Sequence, residues 1–262
     1  SSWTLTALPL FVWMGEILFR TKLSENLFKG LSPWMQKLPG GLIHVNVVGC
    51  ALFAAISGSS AATVATVGKM SIPELRKRNY PEKILLGSLA GSGTLGLLIP
   101  PSIILIIYGV AVQESIAKLF IAGILPGIMI ALIFMSYVIF WSLINKKQMP
   151  KIDEEYSFFE KIKRSKQLLP VIFLISAVIG SIYTGIATAT EAASLGVVGA
   201  LILSYFQKSL TLETFKTSLL GATKTSCMIA FILAGSTFLS LAMGFTGLPR
   251  NLAMWIQNMD LS

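Results

Sequence analysis

Gly91-Ser92-Gly93-Thr94-Leu95-Gly96-Leu97-Leu98-Ile99-Pro100-Pro101-Ser102 interrupts an apolar run that extends from Ile84 to Gly109. A helix entering this run must break, because each proline lacks an N–H and its ring clashes with the preceding turn. A second apolar run, Gly41 to Gly68, is interrupted by Ser57-Gly58-Ser59-Ser60. Non-helical backbone at membrane depth is tolerated only where protein or a water-filled cavity receives its polar groups. Half-helix ends there present unpaired N–H and C=O groups that hold an ion or a small anion. The two breaks together therefore mark a candidate binding site of the kind a carrier needs.

The rest of the chain agrees with a membrane setting. Hydrophobic residues make up 54% and charged residues 13%, and the mean hydropathy is +0.74; an ordinary soluble domain is roughly 25% charged. The expected fold is an all-α polytopic membrane protein. Its net charge of +9 raises the question of a polyanionic partner, but all 21 Lys and Arg except Lys118 and Arg250 lie in four stretches, 20–37, 69–83, 146–166 and 207–224. The positive-inside rule places these stretches in the cytoplasm and accounts for the charge without nucleic acid. Cys50 and Cys227 lie in apolar segments without CxxC spacing, and the single His44 does not build a histidine metal centre, so no transition metal and no cofactor are expected.

The basic stretches set a topology. Segment 3–19 runs inward to Arg20 and Lys22, and 20–37 reads as an amphipathic surface helix with Leu23, Leu27, Leu31 and Trp34 at helical spacing. Segment 41–68 begins and ends on the same side, and its 28 residues are too many for one span and too few for two. It is expected to form a re-entrant hairpin with Ser57-Gly58-Ser59-Ser60 at its tip. A broken helix over 84–109 crosses outward, 117–145 returns, and a cytoplasmic loop over 146–167 joins two parts. Segments 168–184, 186–206 and 222–244 follow, then a second surface helix over 247–259.

Leu23-Ser24-Glu25-Asn26-Leu27 and Leu248-Pro249-Arg250-Asn251-Leu252 resemble one another and each is placed to start a surface helix, Ser24 as a cap and Pro249 in the first turn. The first lies inside and the second outside, the pattern of an inverted-topology repeat. On this reading 1–145 is the first repeat and 168–262 the start of a second. The chain begins without Met at an apolar segment and reads as a piece lacking both ends. A second hairpin and a second Gly-x-x-x-Pro-Pro break are expected to follow Ser262.

Several runs resemble a known family: Pro9-Leu10-Phe11 through Gly15-Glu16, Leu38-Pro39-Gly40-Gly41-Leu42-Ile43-His44-Val45-Asn46, Ser57-Gly58-Ser59-Ser60-Ala61-Ala62-Thr63, Gly96-Leu97-Leu98-Ile99-Pro100-Pro101-Ser102 and Gly185-Ile186-Ala187-Thr188-Ala189-Thr190-Glu191-Ala192-Ala193. In order and over the whole chain they resemble the large membrane subunit of tripartite ATP-independent periplasmic (TRAP) transporters. Ala189 stands where that family often carries Pro. The resemblance implies a multi-pass protein of the bacterial or archaeal inner membrane that moves an organic anion of the C4-dicarboxylate or sialic-acid class, driven by sodium. It further implies an elevator-type fold, a small four-helix membrane subunit, an extracytoplasmic solute-binding protein, and sodium sites at the hairpin tip and broken helix.

Sodium is a hard cation that takes several oxygen ligands, and an unwound turn supplies carbonyls without a buried charge. The candidate ligands are carbonyls of Gly96, Ile99 and Pro101 and oxygens of Ser57, Ser59 and Ser60; the competing reading is that these small residues and prolines only permit close packing and a kink. Gly58, Thr94, Ser102, Asn46, Thr190 and Glu191 are candidates for substrate or supporting contacts. Thr94 and Ser102 could instead bond back to their own helix, Glu191 could be a helix-start carboxylate, Glu16 is expected to pair with Arg20, and His44 and Asn46 are expected to make structural hydrogen bonds.

Other signals carry less. Gly91-Ser92-Gly93-Thr94-Leu95-Gly96 satisfies GxGxxG but lies inside an apolar span rather than after a strand, and Ser57 is no nucleophile elbow because Ala61 replaces the closing glycine. No catalytic motif remains, so an enzyme is not expected. The alternative to a TRAP subunit is a stand-alone sodium/dicarboxylate or citrate-type symporter of related inverted-repeat fold. A membrane-embedded enzyme or scaffold is the third reading, and a scaffold has no need of two mid-depth breaks.

Overall fold

A computed structural model describes residues 3–20, 23–150, 156–166 and 168–258, except for the side chains of residues 3, 4 and 23–25. Every regular element among the described residues is helical, as the composition predicts. The chain divides into two compact units, Ser1–Ala222 and Thr223–Ser262. In the first, a 3-10 turn at Trp3–Thr6 leads into α1 (Ala7–Phe19), followed by α2 (Leu23–Met35) and the hairpin arms α3 (Ile43–Ser57) and α4 (Ser60–Lys77). Then come α5 (Glu82–Gly93), a 3-10 turn at Thr94–Leu97 and α6 (Ile103–Val112), and after them the long α7 (Ile116–Ile144). A short α8 (Phe158–Ser165) precedes α9 (Leu169–Tyr183), α10 (Ala189–Phe206) and the start of α11 (Leu212–Thr246). The second unit holds the rest of α11 and α12 (Leu248–Gln257).

By length and composition α7, α10 and α11 are each able to cross a membrane, and α1, α3 and α6 are shorter apolar helices. The outer surface of α7 is apolar, with Leu125, Phe140 and Ile144 exposed, as expected where the solvent is lipid. Inside the first unit three helices pack in fixed register. α3 and α4 are antiparallel, with Gly49 against Val67 and Ser57 beside Thr63. α5 runs beside α3 in the same direction: the Asn46 side-chain amide donates to the Leu85 carbonyl at 3.2 Å and to the Ser88 hydroxyl at 3.0 Å. Gly68 meets Leu89 and Gly93 meets Val64, so α4 and α5 are antiparallel. α1 packs its Met14 on Gly196 of α10 and sets Phe11 edge-on to Phe120 of α7, ring centroids 5.9 Å apart.

Several boundaries depart from the sequence reading. The second hairpin arm does not stop at Gly68: Val67, Ser71 and Leu75 continue one buried stripe at four-residue spacing while Lys69, Arg76 and Lys77 stay exposed, so the helix reaches Lys77. The stripe on α2 splits, since Leu27, Phe28 and Leu31 are buried in protein and Trp34 is exposed; this helix does not turn all of its apolar side to lipid. The loop 146–166 contains α8, started by a capping box in which Ser157 and Glu160 bond reciprocally. The helix over 222–244 is longer, 212–246. α2 and α12 begin at Leu23 and Leu248, the first residues of the two similar stretches, with Pro249 in the first turn of α12. Ser24 falls inside α2, and the cap expected of its side chain lies outside the described residues.

Phe53 of α3 is fully buried. Phe53→Ala should cost about 3 kcal/mol through the void it leaves, seen as a lower midpoint in thermal aggregation of the purified protein in detergent, whereas Leu125→Ala on the exposed face of α7 should change it little.

Candidate functional site

The parallel run of α3 and α5 brings the hairpin tip and the helix break to the same level. α3 ends at Ser57, and Gly58 closes it in the left-handed conformation, φ 58°, with its N–H bonded to the Ala54 carbonyl. A side chain at Gly58 would be strained by that φ and would stand 2.7 Å from the Pro101 carbonyl oxygen. Ser59 is extended and caps α4, its hydroxyl accepting from the Ala62 N–H. Opposite, the chain leaves α5 through the 3-10 turn, passes Leu98 to Ser102 without helix, and resumes at Ile103. The Ile103 N–H donates to the Gly58 carbonyl at 3.2 Å, joining tip to break by main chain alone.

Gly96 also approaches the tip closely. A Cβ placed there would lie 2.9 Å from the Ser60 nitrogen and 3.2 Å from the Ser59 carbonyl oxygen. The junction is also held from outside: Gly15 of α1 lies against Ser57, Gly123 of α7 against the Leu98 carbonyl, and Gly127 of α7 against Ile99.

Each candidate ligand now has a place. Ser57 is engaged within the tip: its hydroxyl donates to the Ser59 carbonyl at 3.2 Å, accepts from the Ser59 N–H at 3.3 Å and lies 3.0 Å from the Thr63 hydroxyl. The Ser59 carbonyl also accepts from the Thr63 hydroxyl at 2.8 Å and the Thr63 N–H at 3.0 Å. The Ser60 hydroxyl is buried and has no hydrogen-bond partner. Gly96 and Pro101 both face the tip, and Ile99 packs on α7. Ser102 donates to the Leu97 carbonyl at 2.7 Å and Thr94 to the Gly91 carbonyl at 2.7 Å, so both take the local bond. Glu191 accepts from the Thr188 N–H and hydroxyl at 2.8 Å each and completes a capping box at the start of α10; the Thr190 carbonyl accepts from Ser194. Glu16 pairs with Arg20. His44 is fully buried, one ring nitrogen 2.8 Å from the Pro39 carbonyl.

The sequence reading missed Thr63 as a site residue. It is fully buried and binds both the Ser57 hydroxyl and the Ser59 carbonyl; the available signal was a hydroxyl one helical turn after the capping Ser59. It also missed Ser88 and Ser92, which lie with Asn46 between α3 and α5. The GxGxxG run is the end of α5 and its 3-10 turn, and no strand precedes it among the described residues.

The junction contains no ionisable side chain; its polarity is that of main-chain groups and hydroxyls. Four helix ends meet in it. The C-termini of α3 and α5 bring the negative ends of their dipoles, and the N-termini of α4 and α6 bring positive ends. Such a site suits a small cation next to a small anion. A separate cleft of about 490 Å³ lies between loop 36–41, Tyr80 and the end of α7, with Lys37 and Lys146 in its lining. There the Tyr80 hydroxyl accepts from the Leu42 N–H at 3.0 Å, and burial pushes its phenol above the ordinary value.

A helical membrane protein built around a hairpin tip pressed on a helix break is a defined class of architecture. Residues 1–262 match the family described as "Tripartite ATP-independent periplasmic transporter, DctM component", and the chain belongs to that family. It is 33% identical over 261 residues to the C4-dicarboxylate TRAP transporter large permease protein DctM of Pseudomonas aeruginosa, an alignment covering 99% of this chain and 60% of that protein. It is 32% identical over 255 residues to the sialic acid TRAP transporter large permease protein SiaM of Vibrio cholerae, covering 96% and 58%. To the isethionate TRAP transporter permease protein DctMQ of Oleidesulfovibrio alaskensis it is 33% identical over 254 residues, covering 96% and 40%. The chain thus spans about three-fifths of the length of the DctM protein from Pseudomonas aeruginosa.

Gly96→Ala tests the junction itself. The added methyl meets main chain on both sides, so this variant should lose several degrees of thermal stability, roughly 2 kcal/mol by analogy with overpacked cores. Ser102→Ala, which loses one local hydrogen bond, should cost about 1 kcal/mol.

Proposed function

We propose that the protein containing this chain is the large membrane subunit of a TRAP transporter of the bacterial or archaeal inner membrane, and that it carries an organic anion of the C4-dicarboxylate or sialic-acid class together with sodium. The observation that carries the reading is the buried, unpartnered Ser60 hydroxyl beside Gly96 where tip and break meet. A buried hydroxyl without a partner is costly unless something binds it.

The sodium ligands in this proposal are Ser57, Ser59, Ser60, Gly96, Ile99 and Pro101. The C-terminal ends of α3 and α5 face the cation, and Ser60 supplies the side-chain oxygen not already used within the tip. The N-termini of α4 and α6 are left to receive a carboxylate of the substrate. Binding one ion thereby improves the site for the other, the electrostatic basis of coupling.

Residues 1–145 act as a first inverted repeat, 146–167 as its cytoplasmic link and 168–262 as the opening of a second; the matching starts of α2 and α12 support this division. An extracytoplasmic solute-binding protein delivers the anion and a small four-helix subunit completes the membrane complex.

The test is uptake of labelled organic acids into liposomes by the complete protein, with its small subunit and cognate binding protein, under a sodium or a proton gradient. Uptake should require sodium and the binding protein; full-rate uptake on a proton gradient alone refutes the sodium assignment, and uptake without the binding protein points to a stand-alone symporter. Ser60→Ala should raise the sodium concentration for half-maximal uptake about tenfold, a loss equivalent to about 1.4 kcal/mol, while Thr94→Ala should leave it near that of the parent protein.

A further inference from the structure

We propose that α8 is an anchor that binds the headgroups of anionic phospholipids on the side of the membrane where the basic stretches lie. The helix reads Phe158-Phe159-Glu160-Lys161-Ile162-Lys163-Arg164-Ser165. At about 100° per residue, Phe158, Ile162 and Phe159 share one arc and the charged residues take the remainder. That arc is open: Phe158 is 68% and Phe159 82% exposed, and Ile162 is exposed as well. A helix of this kind lies in the plane of the lipid–water interface with its aromatic side among the acyl chains.

The position of α8 in the chain selects lipid as its occupant. The Leu168 N–H bonds to the Ser165 carbonyl at 2.9 Å and the Leu169 N–H to the Lys166 carbonyl at 3.3 Å, and apolar α9, where Phe173 is exposed, begins at Leu169. Three residues of chain, 166–168, separate Ser165 from Leu169, and the four steps between them reach at most about 14 Å. A helix tethered that closely to an apolar segment lies at the membrane surface.

Charge selects the headgroup. Lys161, Lys163, Arg164 and Lys166 face a single acid within 156–166, Glu160, and its carboxylate is taken by the Ser157 N–H at 2.9 Å. Arg164 stacks over Tyr156 at 4.3 Å and Lys161 over Trp34 at 5.5 Å; Lys163 and Lys166 meet no carboxylate among the described residues. A lysine near an anionic bilayer strengthens attachment about fivefold.

The grip is passed inward to α2. The Trp34 indole N–H donates to the Ser165 hydroxyl at 2.8 Å, that hydroxyl donates to the Gly30 carbonyl at 3.2 Å, and Leu168 packs on Gly30. Lipid held by α8 therefore also fixes the helix that leads into the hairpin. This inference rests on the chain's place in a membrane and not on what it transports.

Its test uses a polarity-sensitive fluorophore on Phe159→Cys in a Cys227→Ser background, the other thiol, Cys50, being buried. The complete protein is reconstituted in phosphatidylcholine alone or mixed with phosphatidylglycerol, and quenching by lipid-borne spin label is compared with quenching by aqueous iodide. Phosphatidylglycerol should shift the fluorophore several-fold towards lipid quenching, high salt should reverse the shift, and Lys163→Gln and Lys166→Gln should each weaken it about fivefold. Phe173→Cys, labelled likewise, should be lipid-quenched in both mixtures and so reports correct insertion. Equal lipid quenching in both mixtures overturns headgroup recognition. Equal iodide quenching in both overturns the anchor itself and leaves the aromatic arc to a protein partner, or the basic face to the acidic run Asp153-Glu154-Glu155 that precedes it.

Discussion

Two interrupted helices satisfy one another through their main chains. Every helix end carries orphan N–H and C=O groups, and in a hydrocarbon setting each one left without a partner costs several kcal/mol. Here the tip between α3 and α4 and the gap between α5 and α6 are pressed together closely enough for the Ile103 N–H to reach the Gly58 carbonyl. Neither turn would have that main-chain partner alone. The clamps around them follow from this: α1 and α7 approach through Gly15, Gly123 and Gly127, where a larger side chain would hold the helices apart and leave the junction loose. The shared register of α3, α4 and α5 serves the same end, since a slip of one turn would separate tip from gap by about 5 Å.

The features legible in the sequence were those with local causes. Pro100 and Pro101 break a helix whatever surrounds them, and Ser57-Gly58-Ser59-Ser60 combines a left-handed cap with an N-cap in four residues. Their alternatives were legible as well, since Thr94 and Ser102 close local bonds and Glu191 caps α10. Features that depend on what lies opposite were not legible. The charges at Lys69 and beyond set the end of the hairpin segment at Gly68, yet Ser71 and Leu75 continue the buried stripe. Leu27 and Leu31 signalled a face for lipid, and protein covers it. Thr63 looked like one more small residue in a motif until the fold set it beside Ser57 and Ser59. The capping box that starts α8 is a local signal, Ser157 followed by Glu160, hidden within a polar stretch that read as a link.

Polar residues within the apolar first unit fall into two groups. Asn46, Ser88 and Ser92 tie α3 to α5 across a buried seam, a role that limits relative sliding of the two helices and so preserves the alignment of the junction. Ser60 belongs to the other group, a hydroxyl the fold buries without answering. Hydrogen bonds between membrane helices are modest one by one, and the seam works by number and direction rather than by the strength of any single contact.

The junction is assembled from dipoles and hydroxyls with no formal charge of its own, which under the proposed function bears on the return stroke. A site that depended on an aspartate or a lysine would hold a bare ion whenever it stood vacant, and moving that ion through a low-dielectric layer costs several kcal/mol. Neutral oxygens leave no formal charge uncompensated when the proposed site is vacant, only the smaller cost of an unanswered hydroxyl such as that of Ser60. On the proposed function, the unloaded protein resets without carrying a bare charge across the low-dielectric layer.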